Sequence, residues 1–196
     1  MTVDDEAVAC LVVAAKAGDP EAFGSLFDHY HGPVYRYVAA RVGRPSDAED
    51  LAQLVFVKAL EALPRYEPRG VPFGGWLFKL ARNVVIDHIR THREHVDIDE
   101  LLERPGQETG PEAQAIARDQ MDTIAAALAE LTDEQRDAIA LRFFAGLSAR
   151  EAAEAMGKQE GTVRGIQFRA IGALRRRLGL EAADGAGAPA RRDRTR

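Results

Sequence analysis

The sequence of 196 residues lacks the features of several protein classes. Its single cysteine, Cys10, excludes an internal disulfide and a zinc site built from several cysteines. No apolar run reaches the roughly 18 residues of a transmembrane helix, and the acidic start MTVDDE differs from a signal peptide. We therefore expect a cytoplasmic protein. Cys10 lies in the apolar run 9–13, where a packed core residue is expected rather than a redox sensor.

Signals for β-structure are also missing, because no stretch shows sustained apolar–polar alternation with enrichment in β-branched residues, and no Asn-Gly turn occurs. Helix start signals are frequent instead. Asp19 precedes a proline as a helix N-cap would, and capping boxes are predicted from Ser46, Thr132 and Ser148. The helix that follows Ser46 is expected to bury Leu51, Ala59 and either Leu54 or Val55. The fold class predicted is all-α.

The pattern further predicts two small helical domains joined by an acidic flexible linker. The first spans residues 1–95, and the second, a four-helix domain with a helix-turn-helix, spans 112–179. The linker, 96–111, is rich in acids, proline and glycine. The tail from 180 to 196 is expected to be disordered.

Charge is segregated along the chain, although the net charge is only −5. Residues 64–95 carry a net charge of +3 and residues 169–196 a net charge of +5, whereas residues 96–137 between them carry −9. Two positive blocks separated by a negative one predict that a polyanion binds at two places and is repelled between them. The alternative is that the blocks are only solvated helix faces.

A helix-turn-helix is predicted in the second domain. Ala153 allows two helices to cross closely, Gly157 supplies a left-handed turn, and Val163 with Ile166 fills the angle between the helices. The second helix, from about 160 to 178, presents long polar side chains suited to base edges and phosphates. Those proposed to contact DNA are Glu160, Thr162, Arg164, Gln167, Arg169 and Arg175. The alternative is an αα-hairpin that only packs.

The first domain carries a second nucleic-acid signal, a helix over 74–93 preceded by a loop with aromatic and arginine residues. Such a loop can hold an unstacked base on an aromatic face while arginines bind phosphates. Trp76 is expected in the core, whereas Tyr66 fits the core and a base platform equally. The candidate DNA contacts are Arg65, Tyr66, Lys79, Arg82, Asn83, Asp87 and Arg90.

Three segments together resemble the bacterial extracytoplasmic-function (ECF) sigma factors over about residues 18–178. They read SDAEDLAQLVFVKALEALPRY, PFGGWLFKLARNVVIDHIR and LTDEQRDAIALRFFAGLSAREAAEAMGKQEGTVRGIQFRAIGALRRRL. The resemblance implies a two-domain, all-α protein that binds core RNA polymerase and gives it promoter specificity. The first domain would correspond to sigma region two and the second to sigma region four.

The resemblance also implies roles for particular residues. Asp50, Leu51, Gln53 and Leu54 would dock on the β′ clamp helices of the polymerase, although an acid commonly stands where Leu54 does. The helix 74–93 and its loop would recognise and melt the −10 element, and the helix 160–178 would read the −35 element. The resemblance further implies contact with the β flap of core polymerase, and an anti-sigma factor as another partner. The family's common Ser-Arg-Leu-His run is replaced by residues 165–168 here.

Two other classes of function remain as alternatives. His88, His92 and His95 have spacing that would suit a metal enzyme, but no HExxH motif is present, so neither a metal nor a cofactor nor enzymatic activity is expected. A free-standing helix-turn-helix regulator with an N-terminal sensing domain is the second alternative. It would bind its operator alone, whereas a sigma factor selects a promoter only with core polymerase.

Overall fold

The computed structural model describes residues 5–42, 44–68, 70, 72–93, 126–128 and 130–180. Within these ranges all regular structure is helical, which confirms the all-α prediction. The predicted linker, 96–111, and the tail beyond 180 lie outside the described residues. The helices are α1 (Asp5–Lys16), α2 (Pro20–Val42), α3 (Pro45–Ala62), α4 (Phe73–Arg93), α5 (Asp133–Ile139), α6 (Ala149–Met156) and α7 (Glu160–Arg177). A 3-10 turn (Leu63–Arg65) follows α3, and a π-helical turn (Ala140–Phe144) continues α5.

Three of the predicted helix starts are confirmed. The Asp19 carboxylate accepts hydrogen bonds from the backbone N–H groups of Glu21 and Ala22, at 2.9 and 3.2 Å. Thr132 and Ser148 both form complete capping boxes, in which the side chain three residues later bonds back to the cap. These local bonds satisfy amides that the first helical turn leaves without partners, and so fix where each helix begins.

The capping box predicted at Ser46 is wrong. The N-cap of helix α3 lies two residues earlier, at Arg44, which makes no side-chain hydrogen bond, and Pro45 stands in the first turn. The Ser46 hydroxyl instead lies 3.4 Å from the Asp47 carboxylate. Proline favours the first turn because its ring presets the helical φ and its missing N–H is not needed there. Farther along α3, Val55 rather than Leu54 is buried.

Cys10 is exposed, so the expectation of a packed core cysteine is also wrong. Helix α1 turns Val8, Val12 and Ala15 towards the core, and this spacing places Cys10 and Val13 on the outer face. Because residues 7–15 contain no charged side chain, nothing in that run distinguishes its inner face from its outer face.

The first half of the structure (residues 5–93) and the second half (residues 126–180) pack against each other. One continuous cluster of buried apolar residues includes members of both halves, among them Leu77 of α4 and Met156 of α6. Helix α6 lies between α4 and α7, and its buried residues are spread round the helix: Ala149, Ala152, Ala153, Ala155 and Met156. Small alanines allow neighbours on both sides to come close. A second, smaller cluster around Leu131, Ile139 and Ala170 belongs to the second half alone.

Candidate nucleic-acid interface

The predicted helix-turn-helix is present in α6 and α7. Gly157 ends α6 with φ of +63°, in the left-handed region, and the chain re-enters a helix at Glu160. Ala153, Val163 and Ile166 are all buried in the angle between the two helices. The local sequence therefore determines both the turn and the packing that sets the direction of α7.

Replacing Gly157 with alanine should destabilise the fold, because a side chain at this φ is strained by about 1–2 kcal/mol. Thermal unfolding followed by circular dichroism should show a melting temperature about 2–6 °C lower. Gly172→Ala is the matched control. Gly172 lies inside α7, where a Cβ would meet only ordinary contact at 3.7 Å, so this variant should be as stable as the parent or more so. Equal losses in both variants would contradict the role given to Gly157.

The outer face of α7 carries the residues predicted to contact DNA. Thr162, Arg169 and Arg175 are exposed. Arg164, with 68% of its side chain exposed, lies 2.6 Å from the Glu160 carboxylate one turn earlier. The pair holds the Arg164 guanidinium near the start of the helix. Because an exposed ion pair contributes little free energy, the guanidinium can leave the Glu160 carboxylate and bind a base edge or a phosphate at little cost.

Gln167 differs from its neighbours because it is half-buried. Its side-chain oxygen accepts a hydrogen bond of 3.1 Å from Arg142 in the π-helical turn, and Arg142 also donates to the backbone carbonyl of Leu147. Arg142 thereby fixes Gln167 at one side of α7. Sequence reasoning missed Arg142, because its partner lies 25 residues away in the chain.

A groove of about 650 Å³ runs beside α7. Arg142, Ser148, Arg164 and Phe168 are among its lining residues. Phe168 is 81% exposed, although a phenylalanine is usually buried in a folded protein. A groove with two arginines, a helix start at Ser148 and an exposed ring suits a DNA strand, since it offers cations, backbone N–H groups and an apolar surface for a thymine methyl group.

Four of the seven predicted −10 residues meet in a second cleft, of about 300 Å³, between α4 and the segment after α3. Arg65, Tyr66, Lys79 and Asn83 line this α4 cleft, together with Trp76. Glu154 of α6 also lines it. The three remaining residues, Arg82, Asp87 and Arg90, do not line the cleft. Asp87 and Arg90 are exposed farther along α4, 3.3 Å apart, and Arg82 bonds at 2.8 Å to Asp137 of α5.

Aromatic rings form one wall of the α4 cleft. The ring centres of Tyr66 and Trp76 are 4.8 Å apart, and both rings pack on Phe73. Trp76 is only half-buried, so it is less of a core residue than expected, whereas Tyr66 is buried. Burial raises the pKa of the Tyr66 hydroxyl, and the nearby negative charge of Glu154 raises it further. The cleft thus combines aromatic rings with a lysine and an amide.

The candidate polymerase-binding residues lie on α3. Asp50, Gln53 and Leu54 are exposed, and Leu51 is buried in the core of the first half. Val57 and Leu60, each 53% exposed, extend the same outward face by one and two turns. Sequence reasoning did not select these two, yet their apolar side chains stand on the polar side of the helix. An exposed apolar strip beside polar groups is typical of a protein-binding surface.

The histidines do not form a metal site among the described residues. His88 lies 3.6 Å from the Asp47 carboxylate of α3, whereas the His92 side chain and His95 fall outside the description. No group of three potential ligands that could hold a metal ion occurs in the described parts of the chain. None of the described helices is both long and apolar enough to cross a membrane.

Comparisons with known protein families match both halves. Residues 26–95 match Sigma-70 region 2, and residues 127–176 match Sigma-70, region 4. The α4 cleft and α3 fall in the first match, and the helix-turn-helix falls in the second.

Several named relatives are similar over most of this chain. ECF RNA polymerase sigma factor ShbA of Streptomyces griseus is 39% identical, with 88% of this chain and 96% of ShbA covered. SigD of Mycobacterium tuberculosis is 37% identical, with 89% of this chain and 85% of SigD covered. BldN of Streptomyces coelicolor is 38% identical over 86% of this chain, which spans 64% of the length of BldN.

Solved structures show the same architecture. CnrH, in complex with the cytosolic domain of CnrY, matches with a TM-score of 0.68 and 26% identity, over 88% of this chain and 97% of the solved chain. RpoE from Bartonella quintana, in complex with the anti-sigma factor NepR, matches with a TM-score of 0.63 and 25% identity, over 82% and 98% of the two chains. From these matches, the chain belongs to the ECF sigma factors, the transcription initiation factors that direct RNA polymerase to promoters.

Proposed function

We propose that this chain binds core RNA polymerase through α3, the −10 element through the α4 cleft, and the −35 element through α7. Residues 1–95 would act as sigma region two and residues 112–179 as sigma region four, with 96–111 as the linker and 180–196 as a tail. The observation that carries the proposal is the presence of two separate candidate DNA surfaces, in the order of the two matched families.

The α4 cleft supports a role in opening the −10 element. About 300 Å³ is space for one base, with the rings of Tyr66 and Trp76 at one wall and Lys79 and Asn83 at another. A base that leaves the duplex loses a few kcal/mol of stacking, which contacts with rings and polar groups offset. Strand separation by capture requires no hydrolysis, so we propose that the chain has no enzymatic activity and no cofactor.

The second half supports recognition of duplex DNA. Helix α7 can enter a major groove with Arg164 near its N-terminal end, while Arg175 at its other end contacts phosphate. The chain as a whole is acidic, with a net charge of −5, so its affinity for DNA alone should be low. Core polymerase would hold both halves on one duplex and raise their effective concentration there. Because RNA polymerase works in the cytoplasm of bacteria, we propose that this chain acts there too.

An anti-sigma factor is the other proposed partner. RpoE was solved in complex with the anti-sigma factor NepR, and CnrH in complex with the cytosolic domain of CnrY. The shared architecture supports a similar complex for this chain, with a partner that contacts the surfaces used for polymerase or DNA.

Transcription in vitro with core polymerase over a library of promoter fragments tests the proposed function. Core polymerase with this chain should select a defined set of fragments, and neither component alone should do so. A free-standing regulator would instead shift an operator fragment without polymerase, and that result would replace the proposal.

Asn83→Ala should impair promoter opening more than initial binding. Asn83 is exposed in the α4 cleft, and loss of one polar contact of about 1–1.5 kcal/mol corresponds to about tenfold fewer open complexes. Permanganate footprinting of unpaired thymines measures this. Thr91→Ala, an exposed substitution on α4 away from the cleft, is the control and should open promoters as the parent does. Footprints of equal strength in both variants would contradict the assignment of Asn83.

A further inference from the structure

A buried carboxylate joins the two halves of the structure. Asp137 of α5 has only 2% of its side chain exposed. Its oxygens lie 2.9 Å from Nε of Arg41 and 2.8 Å from Nε of Arg82, and one of them accepts a hydrogen bond of 3.2 Å from the Tyr37 hydroxyl. All three partners belong to the first half, on α2 and α4.

This arrangement depends on the halves being packed together. A buried carboxylate is costly unless it is paired and hydrogen-bonded, and Arg41, Arg82 and Tyr37 reach Asp137 from across the interface. Arg41 is itself buried, and neither its Nε nor its Nη1 has a hydrogen-bond partner among the described residues, although Nε lies close to Asp137 as an ion pair. The packed state is thus held by ion pairs but leaves two buried nitrogens of Arg41 without hydrogen bonds. This lowers the free energy that a competing ligand must supply to separate the halves.

The same packing restricts the first DNA surface. Arg82 is one of the predicted −10 contacts, and only 22% of its side chain remains exposed beside Asp137. Glu154 of α6 lines the α4 cleft, where its negative charge faces the position proposed for nucleic acid. The outer face of α7 stays accessible, as the exposure of Arg164 and Phe168 shows.

Two further polar contacts cross the interface at other points. Arg36 of α2 donates a hydrogen bond of 2.9 Å to the backbone carbonyl of Phe144, and Arg150 of α6 donates to the carbonyl of Gly70. Both arginines are exposed at the rim, where such bonds add little. Asp137 is the one carboxylate at the centre of the interface that pairs with two arginines among the described residues.

We propose that Asp137 is an intramolecular latch that holds the sigma factor closed, with the second half covering part of the −10 surface. Opening transfers Arg82 from the carboxylate of Asp137 to a phosphate of promoter DNA and removes Glu154 from the cleft. The link to promoter DNA rests on the proposed function, whereas the latch itself is a property of the free chain.

Asp137→Asn tests the latch, with Asp133→Asn as a matched control. Both variants lose one negative charge from the same helix, but Asp133 is exposed at the start of α5. Spin labels at the exposed Cys10 and at Arg176→Cys report the distance between the halves in the full chain, without polymerase or DNA. We expect one narrow distance distribution in the parent and in Asp133→Asn, and a broad, longer one in Asp137→Asn, with the open fraction at least about tenfold larger.

Binding of a fluorescent single-stranded DNA 20-mer of mixed sequence gives a second readout. Asp137→Asn should bind it about tenfold more tightly than Asp133→Asn, because opening exposes Arg82 and the α4 cleft. The two variants carry the same net charge, so at the same salt concentration a difference in affinity does not come from charge alone. If the distances and affinities of the two variants coincide, Asp137 is not a latch. If Asp137→Asn loses its helical circular dichroism signal, Tyr37→Phe decides. The Tyr37→Phe variant removes only the 3.2 Å hydrogen bond from the tyrosine hydroxyl to Asp137 and should enlarge the open fraction about threefold. An unchanged distribution of spin-label distances in this variant would overturn the proposal.

These results separate the latch from the proposed function. Opening of Asp137→Asn in a chain that fails to direct transcription would retain the latch and reject the function. Promoter-specific transcription with no opening of Asp137→Asn or Tyr37→Phe would retain the function and reject the latch.

Discussion

Val57→Glu is expected to weaken binding to core RNA polymerase by at least about 30-fold, the loss typical of a binding hot spot. Val57 is 53% exposed at the middle of the outer face of α3, between Gln53 and Leu60. A carboxylate there would have to leave water on docking, with no cation on α3 itself facing it from the neighbouring turns. Fluorescence anisotropy with labelled chain and unlabelled core polymerase measures the affinity.

Val13→Glu is the matched control for this experiment. Val13 is also an exposed valine on a helix of the first half, but it lies on α1 rather than α3. This variant carries the same change of charge and should bind polymerase with the affinity of the parent. If Val57→Glu binds as tightly as Val13→Glu, the outer face of α3 is not the docking surface.

Arg164→Ala should reduce initiation from −35-dependent promoters by about 10–100-fold, because a bidentate arginine–base contact contributes about 1–3 kcal/mol of discrimination. The side chain is exposed near the start of α7, where it pairs with the Glu160 carboxylate at 2.6 Å. Affinity for core polymerase should stay unchanged. Transcription from promoters with single base changes in the −35 element measures the loss.

Arg176→Ala provides the comparison for Arg164. It lies on the basic end of α7, so its loss should weaken binding to all sequences alike and lessen the salt dependence. Arg164→Ala should instead abolish the preference at one position of the −35 element. A sequence preference that survives intact in Arg164→Ala would contradict its role in base recognition.

The helix-turn-helix could be predicted because its determinants are close in sequence. Gly157 requires a left-handed backbone, Ser148 caps the helix before it, and Val163 with Ile166 follows at fixed spacing. Each of these acts within about one or two helical turns, so no knowledge of the rest of the fold is needed. The same holds for Asp19 and Thr132, whose caps were predicted and are present.

Features set by distant contacts could not be predicted in this way. Asp137 pairs with Arg41 and Arg82, which lie 96 and 55 residues earlier, and only the packed halves bring them together. The outward position of Cys10 depends on which face of α1 meets α2. The choice between Leu54 and Val55 in α3 likewise depends on the direction from which neighbouring helices approach.

The candidate site shows the same division. Lys79, Asn83 and Asp87 could be selected as candidate DNA contacts on one predicted helix, but only the tertiary structure brings Arg65 and Tyr66 against Lys79 and Asn83 as a cleft. Arg82, another candidate on this helix, pairs instead with Asp137 of the second half. A helical pattern in the sequence therefore predicts on which face of the helix a residue lies, whereas the residues that it contacts depend on how the helices pack.

The most direct test of the account is promoter-specific transcription by core polymerase with the purified chain. We expect initiation at defined start sites within a promoter library, lost in Val57→Glu and reduced at −35-dependent promoters in Arg164→Ala. Start sites no different from those of core polymerase alone would contradict the account.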